Sequence, residues 1–101
     1  MKQIKIQSTT EYIITNGKPT EYTLTTQEII RTAVESLPKE GITIEEMINR
    51  YKVLNSLDTL SEDSTVLSLT IQDSNNLKRY LVECKWGILS MHIINLYNDL
   101  L

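Results

Sequence analysis

Two short patterns, Thr25-Thr26-Gln27-Glu28 and Thr43-Ile44-Glu45-Glu46, fix where this chain turns into helix. A Thr followed three residues later by Glu is a capping box: the hydroxyl accepts from a free backbone N–H of the first turn, and the Glu reaches back. Behind the first box, Ile29, Ile30, Ala33, Val34 and Leu37 recur at helical spacing until Pro38 and Gly41 end the run. Behind the second, Ile44, Met47, Ile48, Tyr51, Leu54 and Leu57 form the expected inner face of another helix, ending near Leu57.

Ahead of the first box the period is two. Glu11-Tyr12-Ile13-Ile14-Thr15 and Glu21-Tyr22-Thr23-Leu24 flank Asn16-Gly17, a dipeptide that supplies positive φ at a tight turn. This predicts an antiparallel hairpin within residues 3–24. Pro19 cannot donate to a ladder, so the returning strand begins after it or lies at an edge. Residues 4–7 extend the first strand or make a short one of their own. The polar, acidic run from Asp58 to Ser64 reads as a loop. Thr65 to Ile71 then alternates, with Leu67, Leu69 and Ile71 on one side, as a half-buried strand does. Asp73 or Ser74 is the expected cap of a third helix, with Leu77, Tyr80, Leu81 and Cys84 inward and Gly87 as its break. A fourth helix starts near Ser90. The order is β-β-α-α-β-α-α, one α+β domain over residues 1–101, with the hairpin and the later strand expected in one small sheet.

The composition excludes several functions. Of 101 residues, 41% are hydrophobic and 23% charged, ordinary globular usage that argues against wholesale disorder. The net charge is −3, and residues 42–72 carry Arg50 and Lys52 against Glu45, Glu46, Asp58, Glu62 and Asp63. Duplex binding rests on clustered Lys and Arg, so nucleic acid is disfavoured. One Cys and one His cannot build a disulfide framework or a metal cage. No cofactor motif stands out, because the three glycines are scattered. No apolar run approaches the roughly 20 residues of a membrane span, and Met1-Lys2-Gln3-Ile4-Lys5 opens no signal peptide. The expected location is the cytoplasm.

Candidate chemistry is thin. Cys84 fits the inner stripe of helix three and is expected to be a buried, inert thiol, whereas His92 is expected at the surface or facing a partner. No nucleophile or acid pairs convincingly with His92, so the chain reads as non-enzymatic. Glu45 and Glu46 serve the cap and the helix dipole. Lys78, Arg79 and Lys85 beside Trp86 make the nearest approach to a basic-aromatic patch able to meet a phosphate backbone. Helix one, a turn, helix two and a strand also follow the order of a winged helix-turn-helix. That gives an alternative reading as a small dimeric DNA-binding regulator, although its recognition helix would open on two carboxylates. The C-terminal helix is the stronger candidate site. Ile93, Leu96, Tyr97 and Leu100 make one apolar face while Ile94 and Leu101 fall on another, more than a small domain's own core requires. Ile94, Tyr97, Leu101 and Trp86 are therefore the expected contacts with a protein partner or a second copy.

The run Pro38-x-x-Gly41-Ile42-x-Ile44-Glu45-Glu46-Met47, with Arg50, Val53-Leu54 and Leu57, resembles small uncharacterised proteins of tailed bacteriophages. So does Leu67-x-Leu69 followed by Asp73, Leu77, Leu81 and Trp86, so that the likeness spans roughly residues 38–86. The resemblance implies no enzyme activity and no assigned site. It implies an accessory protein that acts by binding a phage or host protein in the host cytoplasm.

Overall fold

The computed structural model describes the backbone of residues 1–101 and the side chains outside residues 13–15. The elements in chain order are β1 (Lys2–Lys5), β2 (Ser8–Thr15), β3 (Lys18–Thr25), α1 (Thr26–Glu35), α2 (Ile44–Asp58), β4 (Val66–Leu69), α3 (Ile71–Glu83) and α4 (Met91–Asp99). The fold is α+β, with four helices.

The hairpin forms as its turn dictates. Asn16 (φ 54°) and Gly17 (φ 76°) both take positive φ, which twists a two-residue loop to match its strands. Thr15 then pairs with Lys18 and Ser8 with Thr25. Pro19 lies within β3, opposite Ile14, and a two-stranded ladder has only edge strands, where a missing donor is tolerated.

The sheet itself departs from expectation. β4 does not join the hairpin; it pairs antiparallel with β1, Ile4 opposite Leu67 and Lys2 opposite Leu69. The cause lies in the side chains. Ile4, Leu67 and Leu69 are buried together, whereas β3 buries only Leu24 among its residues. Strand β3, built of Thr, Tyr and Glu around one buried Leu, offers little apolar face for a further strand to share. Between β1 and β2 the backbone of Gln7 is held by Thr26. Gln7 N–H donates to Thr26 Oγ1 (3.1 Å), and both the Thr26 hydroxyl (3.2 Å) and the Thr26 N–H (3.0 Å) donate to Gln7 O.

Helix starts follow the hydroxyls. Thr25, Thr43 and Ser90 accept from Glu28 N, Glu46 N and Ile93 N. α3 begins earlier than expected: Thr70 caps it by accepting from Asp73 N (3.0 Å), and Asp73 lies inside its first turn. Ile71 is thus an exposed first-turn residue rather than the end of a strand. The core gathers around α1, where Ile29, Ile30, Ala33 and Val34 are almost wholly buried. Val53 and Leu57 of α2, Leu77, Tyr80 and Leu81 of α3, and Ile93 and Leu96 of α4 complete it, together with Leu100.

Candidate functional site

α2 is turned the other way from its expected orientation. Ile44, Met47, Ile48 and Tyr51, expected to face inward, are 75%, 45%, 52% and 59% exposed. The inner face is Arg50, Val53 and Leu57, with Leu54 half-buried at the margin.

An arginine on the inner face needs a reason, since a buried cation without partners costs several kcal/mol. Arg50 Nη1 donates to Val34 O at 2.7 Å and to Ser36 O at 3.2 Å. Those are carbonyls at the end of α1, which has no basic residue in its last turn, and a helix C-terminus attracts positive charge. The guanidinium lies 4.3 Å from the centre of the Tyr80 ring, and its Nε stands 3.4 Å from Glu46 Oε1. Glu46 in turn takes both of its hydrogen bonds from Arg79 Nη2, at 2.9 and 3.0 Å. Burial works against the charge on Arg79, but Glu46, with Glu83 behind it, more than compensates and holds its pKa above the ordinary value. Burial also pushes the Tyr80 phenol up, with the Glu46 charge adding to it. Three helices are thus locked by one polar cluster, and α2 is fixed with its apolar stripe outward.

That stripe is continuous with a groove. Val34, Leu37, Ile42, Met47, Tyr51 and Leu54 line a recess of about 240 Å³ between α2 and the end of α1. Ligand pockets usually enclose roughly 300–1,000 Å³; this one has room for a large side chain. Glu45 and Lys52, both exposed, border the stripe on its other edge, and neither has an ion-pair partner among the described residues.

The C-terminal residues form a second apolar surface. Ile94 is 43% exposed, and Trp86 and Tyr97 are half-buried beside it. With Leu81, Val82 and Ile93 they line a hollow of about 210 Å³. The Trp86 indole N–H donates to Leu81 O at 3.1 Å, which fixes the ring. Leu101 is exposed but lies outside this hollow. Arg79 is engaged by Glu46 and Glu83, while Lys78 and Lys85 make no ion pair among the described residues.

His92 is not at the surface; it is 2% exposed. Its Nδ1 lies 2.7 Å from Thr9 Oγ1 and its Nε2 3.1 Å from Thr26 Oγ1. The Thr26 hydrogen already goes to Gln7 O, so in the neutral ring Nε2 donates to Thr26 and Nδ1 accepts from Thr9, by partner counting. A hydroxyl beside an imidazole suggests a nucleophile and its base. Thr26, however, is 1% exposed and fully engaged by the Gln7 backbone. The cluster clasps β2, α1 and α4 together. Glu11 completes it by accepting from Met91 N (2.8 Å) and His92 N (3.2 Å) at the start of α4. Burial opposes the Glu11 charge, but the Ser90 hydroxyl and these two amides prevail and hold its carboxyl below the usual range. Sequence patterning missed this clasp because its members lie 66 and 83 residues apart.

Cys84 is buried at the end of α3, as its spacing predicts. Among the described residues no three His, Cys, Asp or Glu side chains stand where they could hold a metal ion. Among the described residues no helix is long and apolar enough to cross a membrane. No protein-family model, curated protein or solved structure matches the chain.

Proposed function

We propose that this protein is a non-enzymatic protein–protein interaction module. It acts in the cytoplasm as an accessory protein of the kind the phage resemblance implies, for example as an inhibitor of a host factor. The observation that carries the reading is the α2 stripe: four large apolar side chains at i, i+3, i+4 and i+7, all exposed, on a helix whose other face is locked into the core. Contiguous apolar surface of several hundred Å² marks interaction sites on soluble proteins, and such a stripe is the usual anchor set of helix-mediated contacts. The C-terminal helix offers a second contact of the same kind through Ile94, Tyr97 and Trp86, with Leu101 beyond it.

The DNA-binding alternative draws less support. A recognition helix formed by α2 would present Ile44 and Glu45 to the groove, and Arg79 is already held by two carboxylates. Affinity capture and native mass spectrometry from source cells test the proposal, comparing wild type with Tyr51→Glu and Ile94→Glu variants of unchanged far-UV circular dichroism. Wild type should form a complex, with itself or with another protein, and at least one variant should lose it. Wild type that stays alone and monomeric would refute the reading.

A further inference from the structure

We infer that the α2 face is built to pack against α2 of a second copy, antiparallel about a two-fold axis. The inference rests on the interaction-module reading and names the occupant of that surface.

Two observations point to self-association. The first is area. Leu37, Ile44, Met47, Ile48 and Tyr51 are each about half exposed or more, and five large apolar side chains supply a substantial part of the approximately 800 Å² per partner that a stable interface covers. Glu45, Lys52 and Asn55, exposed around them, supply the remaining rim.

The second is the sign and spacing of the rim charges. Helical residues advance about 100° each, so Glu45 and Lys52, seven apart, sit on the same edge of the stripe, about 10 Å apart along the axis. A two-fold axis perpendicular to two antiparallel helices brings that edge of one copy against the same edge of the other. With the axis level with the midpoint of Ile48 and Asn49, Glu45 of each copy faces Lys52 of the other. Ile48 meets its own equivalent near the axis, and Tyr51 lies beside Met47 across the seam. Self-complementarity is what an isologous contact demands: one edge must carry opposite charges at positions the axis exchanges. A foreign partner imposes no such condition. Within one copy both charges lack an ion-pair partner among the described residues, whereas Glu46, next in sequence on the inner side, has two.

Sedimentation equilibrium on the full chain, with the charges exchanged, tests this. Wild type should be dimeric at tens of micromolar. Glu45→Lys and Lys52→Glu each place like charges together at two symmetric positions and should weaken the dimer about tenfold; the double variant restores the pairing and should return to near wild-type affinity. Tyr51→Glu should give a monomer, with unchanged circular dichroism showing that it remains folded. A wild-type monomer overturns the second-copy inference. If such a monomer still captures a protein in a Tyr51-dependent way, the interaction-module reading survives; if it captures nothing, both fall. A wild-type dimer that Ile94→Glu breaks and the α2 variants do not would also overturn the inference, by moving the two-fold to α4.

Discussion

Replacing Arg50 with Met keeps most of the aliphatic stem against Tyr80 and removes the guanidinium. The loss can be assembled from the contacts. A hydrogen bond from a charged donor to a buried carbonyl contributes about 1.5–3 kcal/mol, and a carbonyl left unpaired in the interior costs a similar amount. The short bond to Val34 O lies at the buried end of α1, so its loss falls near the upper figure. Ser36 is exposed, and its carbonyl can turn to water once Arg50 is gone. Glu46 keeps Arg79, so no carboxylate is stranded. Relief of guanidinium desolvation offsets part of the sum, leaving a net loss of about 3 kcal/mol. Against the roughly 5–15 kcal/mol that stabilises a domain, that is a large fraction. Urea unfolding followed by circular dichroism should show a lower midpoint with an unchanged slope. Glu46→Gln should cost less, about 1 kcal/mol, because it weakens the ion pairs without exposing the end of α1. An Arg50→Met loss below about 1 kcal/mol would refute the claim that this side chain caps α1, and with it the reason α2 is turned stripe-outward.

The other predictions concern groups whose ionisation is tied to folding. The Tyr80 hydroxyl is buried without a hydrogen-bond partner among the described residues, so Tyr80→Phe should be neutral or stabilising by up to about 1 kcal/mol in urea unfolding. Because the folded pKa of Tyr80 is raised, its contribution is complete below the unfolded value of about 10 and is lost as pH rises from there. Wild-type stability should therefore decline in that alkaline range, and Tyr80→Phe should decline less; equal slopes would contradict the assignment. Glu11 has the opposite sign. Its folded pKa is lowered, so its contribution is present above the unfolded value of about 4.3 and disappears as pH falls through the folded one. Glu11→Gln should cost about 0.5–1 kcal/mol at neutral pH, as the loss of a carboxylate at a helix start does. It should also flatten the acid limb of the stability curve, and an unchanged limb would remove Glu11 as its source.

Local features were legible where a few adjacent residues determine the outcome. The Asn16-Gly17 turn, the caps at Thr25 and Thr43, the start of α4 near Ser90 and the inner face of α3 all depend on residues within one or two turns of each other. The β1–β4 ladder does not. Ile4 is the one buried residue in β1, and nothing near it signals a partner more than 60 residues away. Thr70 was hidden for a different reason. The alternation from Thr65 runs on through Ile71, so the strand pattern extends over a capping residue, and Asp73 offers an equally plausible cap three residues later.

The reversal of α2 is instructive because its periodicity is correct and only its direction is not. A stripe at i, i+3, i+4 and i+7 establishes that a helix has an apolar side; it does not establish that the protein's own core covers that side. The inner face instead carries Glu46, Arg50, Val53 and Leu57, a sequence that reads as half solvated. It becomes a core face only because α1 ends without a basic residue and leaves carbonyls for Arg50 to bind, and because α3 supplies Tyr80 for the guanidinium and Arg79 for Glu46. Each of those partners lies at least 14 residues from its contact in sequence. Once the polar cluster fixes this face inward, the helix has to present Ile44, Met47, Ile48 and Tyr51 outward. The same contacts that make Arg50 a core residue therefore create the surface through which the protein is proposed to bind.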